Sequence, residues 1–228
     1  MKIQNYYIEE GQGEPLILLH GNGEDHSYFS HQIKYFSRKY RVIAIDTRGH
    51  GKSPRGKAPF TIAQFADDLC YFMHDHEIKK AHILGFSDGG NIAMVFAMKY
   101  PEMVDCLILN GANLFLRGLK FGVARSIMSD YKKAVARAKE DESAVPEMEM
   151  LCLMVKDPDL KAKDLEKIQA RTLVIAGTKD LIKASHTKRI YNHIEDAELV
   201  FVGGDHWVAD RKYWRFNMAV ERFLDENY

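Results

Sequence analysis

The sequence predicts a doubly wound α/β fold, and three observations point to it. Six short runs rich in Ile, Leu and Val recur along the chain, at 16–19, 41–45, 81–86, 104–109, 171–176 and 198–202. They are continuous rather than alternating, as suits strands covered on both faces of a parallel sheet. Helical patterns at 28–37, 62–76, 91–100, 185–193 and 212–225 fall between or after them, an alternation that fits right-handed crossovers. The chain has 228 residues, 46% of them hydrophobic, enough for one such domain and a small elaboration.

Taken in order, "LILL" makes the first strong strand and ends on His20-Gly21, a turn signal. "RVIAI" follows the first helix and leads into "DTRGHGKS", a loop rich in glycine. "AHILGF" and "VDCLIL" flank the helix that starts near Asn91. "RTLVIA" and "ELVFV" complete the set, each followed by a polar loop and a helix. The residues before "LILL" are expected to form at most an antiparallel hairpin.

One interval breaks the rhythm. Residues 113–169 show helical segments rich in Met, Lys and Glu and no strand, too long for a simple connection. They are expected to form a helical cap inserted into a core domain of residues 1–112 and 170–228. Phe115, Phe121, Met128, Met148, Met150, Leu151 and Met154 are the cap's candidates for lining a pocket, or for gluing the cap to the body.

Composition narrows the partners. Lys+Arg and Asp+Glu both total 32, so no electrostatic ground exists for nucleic acid or an anionic membrane as partner. No run of about 18 apolar residues suggests a spanning helix, and the first residues lack the apolar core of a secretory signal. Cys70, Cys106 and Cys152 are odd in number and scattered, which suits buried thiols and a reducing cytoplasm.

The chemistry starts at Gly85-Phe86-Ser87-Asp88-Gly89. A strand turning sharply into a helix strains its turning residue, and side chains two positions away on either side would collide with the backbone. Glycine at both positions relieves that collision, which is the physical content of G-x-S-x-G. An ordinary glycine turn with an N-capping serine would look alike. If Ser87 is a nucleophile, it needs a base, the base needs a carboxylate, and the oxyanion needs two N–H donors. In an open α/β sheet these come from loops at the carboxyl ends of strands. Asp180 follows "RTLVIAG", and His206 follows "AELVFVGG", giving the chain order Ser, Asp, His. Asp205 is too near His206 in sequence to reach its ring and is expected to shape the loop. The turn "HGNG" offers the amide of Asn22, and the helix start offers that of Asp88. His20 is expected to brace its loop, and His186 and His193 to lie on the surface. His74 and His76 lack a ligand set, so no metal is expected, nor any other cofactor.

The pieces "HGNG", "DTRGHGKS", "GFSDGG", "GTKD" and "GGDHW" resemble the α/β-hydrolase superfamily in content and order, over most of the chain. The resemblance implies an eight-stranded, mostly parallel sheet with helices on both faces and a short helical cap after the sixth strand. It also implies Ser87 as nucleophile, His206 as base, Asp180 as acid, and Asn22 and Asp88 as oxyanion hole. In this family the position after His-Gly is often bulky or aromatic, whereas Asn22 is small and polar.

The expected function is serine hydrolysis of a small carboxylic ester through an acyl-enzyme. A C–C bond (β-diketone) hydrolase, an amide hydrolase, a perhydrolase or a low-turnover receptor would use the same fold and triad. Phosphate-loop and dinucleotide readings fail: Asp46 stands where a Walker motif needs glycine, and His26 where a dinucleotide fingerprint does. The Asp88 carboxylate would attract a substrate ammonium if it faces the pocket, or serve only the positive helix end.

Overall fold

The computed structural model describes residues 2–225. The strands are β1 (Tyr7–Glu10), β2 (Pro15–Leu19), β3 (Arg41–Ile45), β4 (Ala81–Phe86), β5 (Val104–Asn110), β6 (Arg171–Gly177) and β7 (Ala197–Val202). They form one sheet in the order β1-β3-β2-β4-β5-β6-β7, parallel except for β1, which runs antiparallel to β3. Strand order reverses between β2 and β4, so loops on either side of that point face one crevice at the carboxyl ends.

Alternate residues of each strand enter two separate cores. Ile17, Leu19, Ile43, Ile83, Leu107 and Leu109 pack beneath α2 (Ile62–Asp75) and α3 (Asp88–Lys99). Leu16, Leu18, Val42, Leu84, Ile108 and Leu173 face the other way, toward α1 (Ser30–Phe36) and the helix Tyr213–Asp225. Both faces are thus covered by helices, which is why the strands read as unbroken apolar runs.

Two expectations about the start of the chain need correction. Seven strands, not eight, are present among the described residues. The segment before β1 is tied into the loop after β3 instead of pairing as a strand: the Tyr6 amide donates to Ser53 Oγ at 2.8 Å, and its carbonyl accepts from Asp46 N at 2.9 Å. Nor do β1 and β2 form a hairpin, because β3 lies between them. Arg41 pairs with Glu9 through two 2.9 Å bonds across that β1–β3 edge.

The interval between β5 and β6 carries α4 (Phe121–Ala138) and α5 (Val145–Lys156) and no strand of the sheet. With seven strands it follows the fifth rather than the sixth. Helix α5 is tied to the body at three points. Arg55 forms a two-pronged ion pair with Glu149, with Nε to Oε2 at 2.6 Å. The Ile62 amide at the start of α2 donates to Asp157 Oδ2 at 3.0 Å, and Asn22 reaches the carbonyl of Met150.

Loops at the carboxyl rim are braced from below. Asp46, fully buried, accepts from the main-chain amide and ring of His26 and from the amide of Lys52. It thereby joins the "HGNGEDH" loop to "DTRGHGKS", so the latter is a structural turn. Arg48, fully buried as well, meets Asp68 of α2 through two 2.6 Å bonds.

Candidate active site

Ser87 stands directly between β4 and α3 with φ +52° and ψ −117°, a conformation side chains rarely adopt. Its amide donates to Asn110 O of β5 at 2.8 Å, and its carbonyl accepts from Asn91 N at 3.0 Å, so strand and helix hold it from both sides. The glycines of the motif do the work expected of them. A Cβ on Gly85 would stand 2.2 Å from Gly89 O, and one on Gly89 would stand 2.0 Å from Leu19 O. Those contacts lie far inside van der Waals distance, so the sharp turn requires glycine at both positions.

The loops after β6 and β7 bring the other two predicted side chains to this serine. His206 Nε2 lies 3.1 Å from Ser87 Oγ, and His206 Nδ1 lies 2.7 Å from Asp180 Oδ1. Asp180 is held in turn: Oδ1 accepts from Ile182 N at 2.9 Å and Oδ2 from Gly177 N at 3.3 Å. A carboxylate accepts only, so His206 Nδ1 carries a proton and, in the neutral ring, Nε2 is left as an acceptor for the serine hydroxyl. The Phe86 ring packs on His206 with centroids 4.8 Å apart, and Tyr28 stacks on Phe86 at 4.4 Å. Such an arrangement can draw a proton from Ser87 and stabilise the imidazolium that results.

The oxyanion candidates are placed by neighbouring loops. Neither the Asn22 nor the Asp88 main-chain amide donates to a protein acceptor among the described residues. Glu24 accepts from Gly21 N at 3.1 Å and closes the turn that holds Asn22; burial pushes its carboxyl up. The Asp88 carboxylate, itself buried, accepts from the side-chain amides of Asn22 at 2.8 Å and Asn91 at 3.1 Å. Burial raises its pKa to about 6 against the pull of those bonds.

The histidines outside this group divide as follows. His20 Nε2 accepts from Thr47 N at 3.0 Å, which leaves Nδ1 to donate to Gly21 O at 2.8 Å. Burial lowers its pKa to about 4, so it is a neutral brace of the loop. His186, expected at the surface, is buried: its Nε2 accepts from Leu114 N at 3.0 Å. The helix "ASHTKRIY" looks polar in sequence, but this ring serves an otherwise unpaired amide after β5. His193 is half-buried and bonded to Arg189 O. Asp205 caps Trp207 N at 3.1 Å and pairs with Arg211, away from the histidine ring.

A cavity of about 40 Å³ lies against the serine. Ser87, Asp88, Asn113, Leu119, Met154 and Ile182 are among its walls. Of the seven residues singled out in the 113–169 interval, only Met154 lines it, and Phe121 is 77% exposed. No periodicity in the sequence distinguishes the wall residues Leu119 and Ile127 from their neighbours.

Residues 14–146 match the family model described as the alpha/beta hydrolase fold. The chain belongs to the α/β-hydrolase family. Human serine hydrolase BPHL is 27% identical over 97% of this chain and 83% of its own length. The (E)-2-((N-methylformamido)methylene)succinate hydrolase of Acinetobacter baylyi is 35% identical, but the match spans 46% of this chain and 41% of that protein. A Mycobacterium tuberculosis relative, Rv2715, is matched over 30% of its length at 33% identity. This α/β hydrolase thus spans less than half the length of several curated relatives it matches. Among solved structures, a meta-cleavage product hydrolase from Pseudomonas fluorescens superposes with a TM-score of 0.80 at 25% identity, covering 99% of this chain and 96% of the other.

Proposed function

We propose that this α/β hydrolase is a serine hydrolase acting on small carboxylic esters. The observation that carries the reading is the relay from Ser87 Oγ to His206 Nε2 at 3.1 Å and from His206 Nδ1 to Asp180 Oδ1 at 2.7 Å. Ser87 attacks the acyl carbon while His206 takes its proton, and the oxyanion rests on the amides of Asn22 and Asp88. His206 then protonates the leaving alcohol, and water repeats the sequence to release the acid.

The size of the cavity narrows the substrate. Ligand pockets usually measure about 300–1,000 Å³, whereas the space beside Ser87 is about 40 Å³. We read so small a space, walled by Leu119, Ile127, Met154, Leu181 and Ile182, as favouring a short acyl group. We read residues 113–169 as the cap that sets this limit, on a core of 1–112 and 170–228. The scattered thiols of Cys70, Cys106 and Cys152 suit a reducing cytoplasm, which cell fractionation would test.

Cleavage of a C–C bond on the same triad is the second reading, favoured by the coverage of the Pseudomonas structure, which is named a meta-cleavage product hydrolase. A fluorophosphonate probe tests the serine chemistry common to both. Mass analysis is expected to find the adduct on the peptide containing Ser87; a folded protein that acquires none is not a serine hydrolase. A panel of nitrophenyl esters against a vinylogous β-diketone then separates the two substrates.

A further inference from the structure

The two residues assigned to the oxyanion hole are joined through their side chains. Asn22 Nδ2 donates to Asp88 Oδ2 at 2.8 Å and to Met150 O of α5 at 2.9 Å. A primary amide nitrogen has two N–H groups, so both are engaged. The second oxygen of Asp88 accepts from Asn91 Nδ2 at 3.1 Å, and Asn91 Oδ1 accepts from the Asn113 amide at 2.9 Å. One hydrogen-bonded path therefore runs from α5 through the loop after β2 and the first turn of α3 to the loop after β5.

We propose that the Asn22 side chain is a positioning group that holds the oxyanion hole in register with helix α5. The proposal rests on the serine-hydrolase reading. Asn22 sits between Gly21 and Gly23, so the main chain on either side is poorly restrained by its own side chains. An oxyanion donor is effective only when fixed in advance within a few tenths of an ångström, and the Asn22 side chain supplies that restraint. It fixes its own amide against the residue that supplies the second amide. The buried Asp88 carboxylate needs donors on both oxygens, and Asn22 and Asn91 provide one each. Met150 adds the third point, so a group that lifts α5 loosens the hole as well as the pocket. Acyl-chain selection is then expressed in kcat and not only in KM.

The test compares the unsubstituted protein with Asn22→Ala, Asn22→Ser, Asp88→Ala and the Asn22→Ala/Asp88→Ala pair, on 4-nitrophenyl acetate and butyrate. Asn22→Ala keeps the main-chain amide. It is expected to lower kcat about tenfold, the effect of roughly 1.4 kcal/mol in the barrier, with KM for acetate within about twofold. Fluorophosphonate labelling of Ser87 should slow by a similar factor. The pair should be no slower than the slower single variant, because both cut the same link. Asn22→Ser, which disturbs packing less, gives the same comparison if the alanine variant does not fold. Unchanged kcat in the folded Asn22 variants, or effects that add fully in the pair, overturns the positioning role. Full turnover by Ser87→Ala overturns the serine reading instead, so the two failures are told apart.

Discussion

Gly111 leaves the space that the His206 ring occupies: a Cβ built on it would stand 2.8 Å from His206 Cε1 and 3.0 Å from Nδ1. Its φ of +61° is one that glycine adopts without strain. Gly111→Ala should therefore push the imidazole away from Ser87. Misplacement by about 1 Å costs on the order of 100-fold in rate, and the left-handed backbone adds about 1–2 kcal/mol of instability. Ester kinetics and urea unfolding on the same variant measure both effects.

The strain at Ser87 separates two substitutions that both remove the hydroxyl. Ser87→Ala should lose at least about three orders of magnitude in kcat and keep its stability, because alanine inherits the φ of +52°. Ser87→Gly should be equally inactive yet more stable, by about 1 kcal/mol, since glycine relieves the strain. The order of their urea midpoints checks the assignment of strain.

Asp180→Asn is nearly isosteric, so the loop after β6 should hold. An asparagine amide facing Nδ1 favours the tautomer with the proton on Nε2, which cannot take one from Ser87. A fall in kcat of about 10⁴ is expected from such a swap, with the far-ultraviolet circular dichroism unchanged.

His20 and His186 should stay neutral in the folded protein down to about pH 4, because burial lowers both to that value from 6.5. The unfolded chain protonates these rings first as pH falls below about 6.5. Their contribution to stability is thus complete above pH 6.5 and is lost between there and pH 4. Asp88 acts in the opposite sense: raised to about 6 from 3.8, it takes up a proton in the folded state first and adds stability as pH falls across that interval. Ring ¹⁵N shifts of His20 and His186 at pH 5 give the direct check; charged rings there would contradict the burial account.

Removing one partner of the Arg48–Asp68 pair leaves a charge in the interior, with side-chain exposures of 0% and 3% for the two residues. Asp68→Ala should cost about 3–5 kcal/mol, read as a shift in urea midpoint. Lys99→Ala breaks the exposed pair with Asp67 and should cost less than about 1 kcal/mol.

The parts of the site most legible in the sequence are those where backbone geometry demands a residue type. Gly85 and Gly89 announce the turn at Ser87 because nothing larger fits, and the apolar runs of β6 and β7 end where Asp180 and His206 must stand. Gly111 obeys the same logic but lies in no motif, since its constraint comes from a ring 95 positions later in the chain. Strand β1 escapes the sequence for a different reason. "YIEE" is short and half-exposed, so only its partner β3 gives it a place. By residue type, His186 reads as a helix-surface histidine and Asn22 as an oxyanion amide. Their further roles, toward Leu114 and toward Asp88 and Met150, depend on side-chain partners that no spacing encodes.

The order along the chain of the groups proposed to react has a practical outcome. Ser87 and Asn22 come from the first half, Asp180 and His206 from the second, and the exposed stretch 139–143 links them between α4 and α5. Neither half alone holds a complete relay, and β5 and β6 would have to zip together to restore it. On the proposed ester hydrolysis, halves cleaved there and fused to two interacting proteins should form a split reporter whose colour from a chromogenic ester appears only on reassembly.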